Sequence, residues 1–374
     1  MKLIMKGVLT ATLVAATNTS SLAETAALTI RVAILDNLKS EKLATERYIQ
    51  DYLDGIELAR RHATKRGVNL EVKPFFYNKR PLSILEQVPA LKTWGADVVI
   101  GPRSSSQLLA LREQLADRLV VSPMASATEI ATLPKNFHSV APSNDRVVQA
   151  LVQYVSSRFK GRSVFAIAEA DCVYCVDLAK QFTAGFHRTG MTVRNEAPAL
   201  FVSSGVETVA IDKLLVGYHA GDLILLPNNS YTSGILMSRI SEHLKTAPIF
   251  VGGDGWGDWS VGFTGKIRSR YDYSGYRVAP WSLAKTDAAT EQFKKSFRKA
   301  FGKDATASVS IASYTALTSV VDVVGGLSVS GDVRSAVFAA YEEAVRKDHD
   351  LARPSTFAVF KVSQDGESLE KIYP

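Results

Sequence analysis

The sequence predicts an α/β protein of two lobes, each a parallel sheet flanked by helices, and three observations carry that prediction. Short apolar runs with the character of buried strands alternate with segments whose apolar residues recur at helical spacing. The alternation runs once from Leu28 to Phe137 and begins again after Asn144. A chain of 374 residues is long enough for two domains. Strands alternating with amphipathic helices give a parallel sheet covered on both faces.

Met1 to Ala23 reads as a secretory signal. Lys2 and Lys6 flank the start of an apolar centre, Gly7 to Ala16, and Ser21-Leu22-Ala23 forms a small-x-small cleavage site before Glu24. The apolar part falls short of the roughly 20 residues that a membrane span needs, and no cysteine stands at the cleavage point to take a lipid. The mature protein is therefore expected to be exported, soluble and periplasmic. Removing Lys2 and Lys6 lowers the formal net charge from +7 to +5. The remaining basic charge is dispersed, without long like-charge runs or a nucleic-acid motif, so no nucleic-acid partner is expected.

In chain order, Leu28 to Leu35 is the first strand, and Ile49, Tyr52, Leu53, Ile56 and Ala59 mark a helix that stops at Gly67. Leu70 to Tyr77 is a strand and Pro81 to Trp94 a helix. Ala96 to Ile100 is a buried strand broken by Gly101-Pro102, after which Ser104, Ser105 and Ser106 open a helix carrying Leu108, Leu111 and Leu115. Leu119 to Val121 is another strand, running into the hydroxyl-rich segment Ser122 to Glu129. Two such strand ends, about twenty residues apart, predict neighbouring parallel strands sharing a crevice. That crevice suits a small anion held by hydroxyls and backbone N–H groups. Serine is also the commonest helix cap, and the cluster reads equally as capping alone.

The second half repeats the rhythm. Helix Arg146–Phe159, strand Ser163–Ala168, helix Val176–Thr189, strand Met191–Arg194, helix Val206–Gly217, strand Asp222–Leu226, helix Tyr231–Lys245 and strand Ile249–Val251 follow in turn. Gly275 to Pro280 is a further strand. Helices Thr286–Phe301, Ser308–Val324 and Arg334–Arg346 precede two strands, Ser355–Val362 and Ser368–Tyr373, about the Gln364-Asp365-Gly366 turn. His138 has no partner at metal-ligand spacing and reads as structural.

The wording VVIGPRSSSQ followed by VVSPMASATE resembles the leucine/isoleucine/valine-binding family of periplasmic receptors. So do DGIELARRHA at Asp54–Ala63, Phe137 to Asn144 against an F-x-x-x-x-P-S-D segment, and Asp171 to Cys175 against D-x-x-Y-G. The resemblance implies the type I periplasmic binding fold: two Rossmann-like lobes joined by a three-stranded hinge. It divides the chain into residues 28–142 plus 278–352, and residues 143–277 plus 353–374. It departs from the family at the charged Asp36–Glu46 loop, at Asn144 for aspartate and at Cys175 for glycine.

By this resemblance the loops with Ser104, Ser105, Ala125 and Ser126 hold a ligand carboxylate, while Tyr174 and Asp254 face it, Asp254 taking an amine. Asn229 and Trp256 are further expected ligand contacts. Asp254 between glycines and Asn229 after a proline also read as turn residues. Trp256 and Trp259 read alternatively as packing, and Arg103 either meets a second acid group or is solvated. Cys172-x-x-Cys175 is expected to form a disulfide shaping the Tyr174 loop, with an exported thiol–disulfide activity as the alternative; no metal site is expected.

Hydrolase, zinc-protease, phosphate-loop and dinucleotide motifs are absent, so neither an enzyme nor a cofactor is expected. The resemblance implies a solute receptor of an ABC importer, monomeric, handing a small carboxylate, most simply an amino acid, to an inner-membrane permease. Amides, urea or aromatic acids remain open as ligands, as does a sensor role.

Overall fold

The computed structural model describes residues 28–37, 43–77, 83–257, 269–327, 329 and 331–374. The expected export signal, Trp259 and part of the charged first loop lie outside these residues.

The first lobe is built on a five-stranded sheet of order β2-β1-β3-β4-β5, with every pair parallel. Its strands are β1 (Leu28–Asp36), β2 (Val68–Phe76), β3 (Val98–Ile100), β4 (Leu119–Ser122) and β5 (Phe137–Ser139). Side chains along a strand alternate between faces. Ile30, Val32 and Ile34 therefore pack on one side, beneath α1 (Leu43–Lys65), and Ala33 and Leu35 on the other, beneath α2 (Val88–Trp94) and α3 (Ser105–Ala110). Both faces being covered, the strands read as unbroken apolar runs.

The second lobe carries a seven-stranded sheet of order β12-β11-β10-β9-β8-β6-β7. Here β6 (Val164–Glu169), β7 (Ala199–Phe201), β8 (Leu223–Leu225), β9 (Ile249–Gly252) and β10 (Ser274–Ala279) are parallel, and β11 (Phe357–Ser363) and β12 (Gly366–Tyr373) form an antiparallel hairpin on β10. Val164 and Ala166 face α4 (Asn144–Arg158) and α5 (Val173–Arg188); Phe165 and Ile167 face α6 (Ile211–Leu214) and α7 (Ser230–Leu244).

After β10 the chain returns to the first lobe, where α8 (Ala288–Phe301), α9 (Val309–Val324) and α10 (Val333–Lys347) join its core. Helix α9 lies close against α1 because residue 55 is glycine: a Cβ there would sit 2.2 Å from the Ser310 carbonyl oxygen. The chain passes between the lobes three times, through residues 140–143, 280–287 and 348–356. Buried Lys285 fastens two of these passages, its Nζ donating to the carbonyls of Pro280 at 3.2 Å and Thr356 at 3.1 Å.

Three expected elements differ. Met191–Arg194 forms no strand but a single bridge, Val164 to Val193, because the Asn195 side chain takes both backbone groups of Ala166. Strand pairing resumes only at β7, which the sequence did not suggest. Helix α3 ends at Ala110, and i to i+3 bonds continue the spiral through Gln114, still burying Leu111 and Leu115. The helix expected over Val206–Gly217 contracts to α6.

Candidate functional site

The first half of the site lies where β3 and β4 end side by side. Ser122 Oγ donates to the Pro102 carbonyl at 2.6 Å and accepts from Ala125 N–H at 3.0 Å, tying the two exit loops together. Ser139 Oγ donates to the Ala125 carbonyl at 2.6 Å from the next strand. Ser105 Oγ accepts from the N–H groups of Ser126 and Ala127, each at 3.2 Å. Ser126 is 2% exposed and its hydroxyl has no hydrogen-bond partner. The two backbone donors are thus taken by Ser105 Oγ, and the hydroxyls of Ser105 and Ser126 are the groups here able to donate to a carboxylate oxygen. Ser104 is exposed and serves through its carbonyl, which accepts from Leu108 N–H.

The second half comes from α5 and the turn after β9. The Tyr174 hydroxyl donates to Asp254 Oδ1 at 2.6 Å and accepts from Gly255 N–H at 2.7 Å. A side chain at residue 255 would lie 2.7 Å from the tyrosine ring, so glycine is required there. Burial pushes the Asp254 carboxyl up, opposed by the bond from Tyr174. Burial and the neighbouring Asp254 push the Tyr174 phenol well above its ordinary value, so the proton stays on the tyrosine.

The halves meet through contacts the sequence reading missed. Ser106 Oγ accepts from Val173 N–H at 3.2 Å, across the lobes. Asp177, one helical turn beyond Tyr174, accepts from Thr128 N–H at 2.8 Å and Thr128 Oγ1 at 2.7 Å, also across the lobes. From its own lobe Asn144 Nδ2 donates to Asp177 at 2.7 Å. That contact explains asparagine at 144, since a carboxylate there would repel Asp177. The i, i+3 spacing of Tyr174 and Asp177 was the available signal. Cys172 and Cys175 are joined as expected, and Cys172, the N-cap of α5, accepts from Cys175 N–H through its sulfur.

Two residues expected as contacts, Trp256 and Asn229, and Arg103, left between an acid-group contact and solvent, have other partners. Trp256 is fully buried in the second lobe's core, its Nε1 donating to the Leu226 carbonyl at 2.9 Å. The indole occupies space left by Gly252, where a Cβ would lie 1.9 Å away. Asn229 is the exposed N-cap of α7, and its carbonyl accepts from Ser233 N–H. Arg103 is neither solvated nor free: Nε pairs with buried Asp36 at 2.7 Å, and the guanidinium lies over the rings of Tyr48 and Tyr52. A cation in a low-dielectric site keeps a counter-ion, which the charged first loop supplies in Asp36.

This arrangement, two parallel-sheet lobes joined by three passages with polar loops at the strand ends, is the type I periplasmic binding fold, and the chain has that fold. Its structural neighbours are leucine/isoleucine/valine-binding proteins and ABC transporter substrate-binding proteins. The isoleucine-bound branched-chain amino acid substrate-binding protein of Streptococcus pneumoniae superposes with TM-score 0.71 at 16% identity, over 92% of this chain and 98% of that one. A leucine-binding protein of Thermotoga maritima gives the same four figures. A solute-binding protein of R. palustris in complex with benzoate gives TM-score 0.71 at 14% identity, over 92% of this chain and 96% of the other. No family model and no curated protein matches the sequence. No helix among the described residues is long and apolar enough to cross a membrane.

Proposed function

We propose that this chain is the periplasmic solute receptor of an ATP-driven importer, holding a small carboxylate between its lobes and presenting the closed form to a membrane permease. The observation that carries the reading is the opposition of two unlike half-sites. Ser105 and Ser126 offer hydroxyls on one lobe, and Tyr174 with Asp254 offers a carboxylate on the other. An α-amino acid complements both at once, its carboxylate taking the hydroxyls and its ammonium facing the Asp254 carboxylate. The reading requires no chemistry on the ligand and assigns export to Met1–Ala23.

A second ligand class is favoured by a separate observation. Tyr174 already satisfies one oxygen of Asp254 without an amine. An aromatic carboxylate would take the same serine hydroxyls and leave Asp254 idle.

The test is a thermal-shift screen of the ligand-stripped mature protein against amino acids, amides, urea and aromatic acids. A ligand at 100 times its dissociation constant adds about 2.7 kcal/mol of stability. A shift with amino acids that Asp254→Ala abolishes supports the first class. A shift confined to amine-free acids and insensitive to Asp254→Ala selects the second. No shift with any small carboxylate sinks the receptor reading. Uptake and sensing separate by whether deletion stops accumulation of labelled ligand.

A further inference from the structure

The turn that opens α5 holds chemistry that ligand binding does not use. Cys172 and Cys175 sit three residues apart at the N-terminus of a 16-residue helix, one as N-cap and one in the first turn. Rings this short remove the least unfolded-chain entropy, so the bond is a weak global staple. Both sulfurs lie within 4.8 Å of a carboxylate oxygen of Glu169, at the end of β6. Glu169 is 6% exposed. The groups facing it are Thr232 on α7, Ser203 after β7 and Asp171 on its own loop, and of these only Asp171 is charged.

We propose that Cys172–Cys175 is a redox-active disulfide, reduced and re-formed by exchange with a dithiol, with Glu169 moving the proton at Cys175. Cys172 is the partly exposed residue of the pair, and Cys175 is fully buried. A groove of about 750 Å³ is lined by Asp171 and Val173, the chain neighbours of Cys172, and by Thr128 and Glu129 of the first lobe. A thiolate of the dithiol attacks Cys172 Sγ, the S–S bond breaks, and its electron pair leaves on Cys175, which takes a proton from Glu169. The second thiolate of the dithiol then attacks its own partner's sulfur in the mixed disulfide and releases Cys172 as a thiolate. The dithiol departs as a disulfide, and the protein has gained two electrons. The first-turn amides of α5 stabilise the Cys172 thiolate. In the reverse direction ionised Glu169 accepts the Cys175 proton. Burial raises the Glu169 carboxyl above the usual range, as a group exchanging protons with a thiol requires.

The experiment treats the folded mature protein with dithiothreitol, counts thiols by mass-tag alkylation, and follows re-formation of the bond by oxidised glutathione across pH. Both thiols should appear with the circular dichroism spectrum unchanged. Glu169→Gln should slow re-formation at neutral pH by roughly tenfold or more and remove one inflection from the pH profile. Thr232→Val keeps the carboxyl but deletes its donor, and should move that inflection to higher pH. A bond that opens only on unfolding overturns the proposal, as does a wild-type pH profile in Glu169→Gln. Should that variant not fold, an unmoved inflection in Thr232→Val overturns it equally.

Discussion

Asp254 owes its position to Tyr174, and the two are expected to fail differently. Tyr174→Phe removes the hydroxyl that fixes the carboxylate and accepts from Gly255, so it should weaken ligand binding several-fold while leaving dependence on the ligand amine. Asp254→Ala should remove that dependence altogether; calorimetry with an amino acid and its amine-free analogue separates the cases. His138 gives a prediction on stability. Its ring is largely buried against Tyr341, its Nε2 has no partner, and burial pushes its pKa down to about 4. The unfolded state, with pKa near 6.5, binds a proton that the folded state refuses. Stability should therefore fall as pH drops from about 6.5 to about 4, by at most roughly 3 kcal/mol, and level off below. His138→Phe should flatten that part of the melting-temperature profile, and an unchanged slope would exclude His138 as its source.

At the scale of elements, the first two turns of α5 concentrate three tasks: Val173 bonds Ser106, Tyr174 bonds Asp254, and Asp177 bonds Thr128. The charge-assisted bonds of Asp177 to Thr128 join the two lobes. Asp177→Ala should raise the radius of gyration of the ligand-free protein in small-angle scattering. It should also weaken ligand binding about tenfold, because only the closed fraction binds tightly. Asn144→Asp should act similarly at pH 7, because it sets a second carboxylate against Asp177. Replacing Cys172 and Cys175 together by serine should weaken ligand binding more than it lowers melting temperature, since the bond orders one turn.

Across the whole molecule, each lobe has its own core and the three passages carry the coupling, with Lys285 joining two of them. Lys285→Met should preserve the fold of each lobe while broadening the distribution of interlobe distances, measured by paired spin labels; an unchanged distribution would deny Lys285 a hinge role. Much of this plan is legible in the sequence. The unbroken apolar runs and the helical spacings fix most strands and helices, because both faces of each sheet are covered and the local pattern agrees with the global one. The β3 and β4 exits were legible as a pair for the same reason, each being an apolar run ended by glycine, proline or serine.

The sequence by itself determined the fold class, the adjacency of the two serine-bearing exits and the pairing of residues close in the chain, because these follow from periodicity and short-range geometry. Only the tertiary structure decided that Arg103 serves Asp36, that Trp256 reaches the Leu226 carbonyl, that Asn195 takes the backbone groups of Ala166 and that Asp177 reaches Thr128. Each joins groups from different chain segments, and a side chain's partner is set by what the folded chain brings within bonding distance, which composition and spacing do not encode.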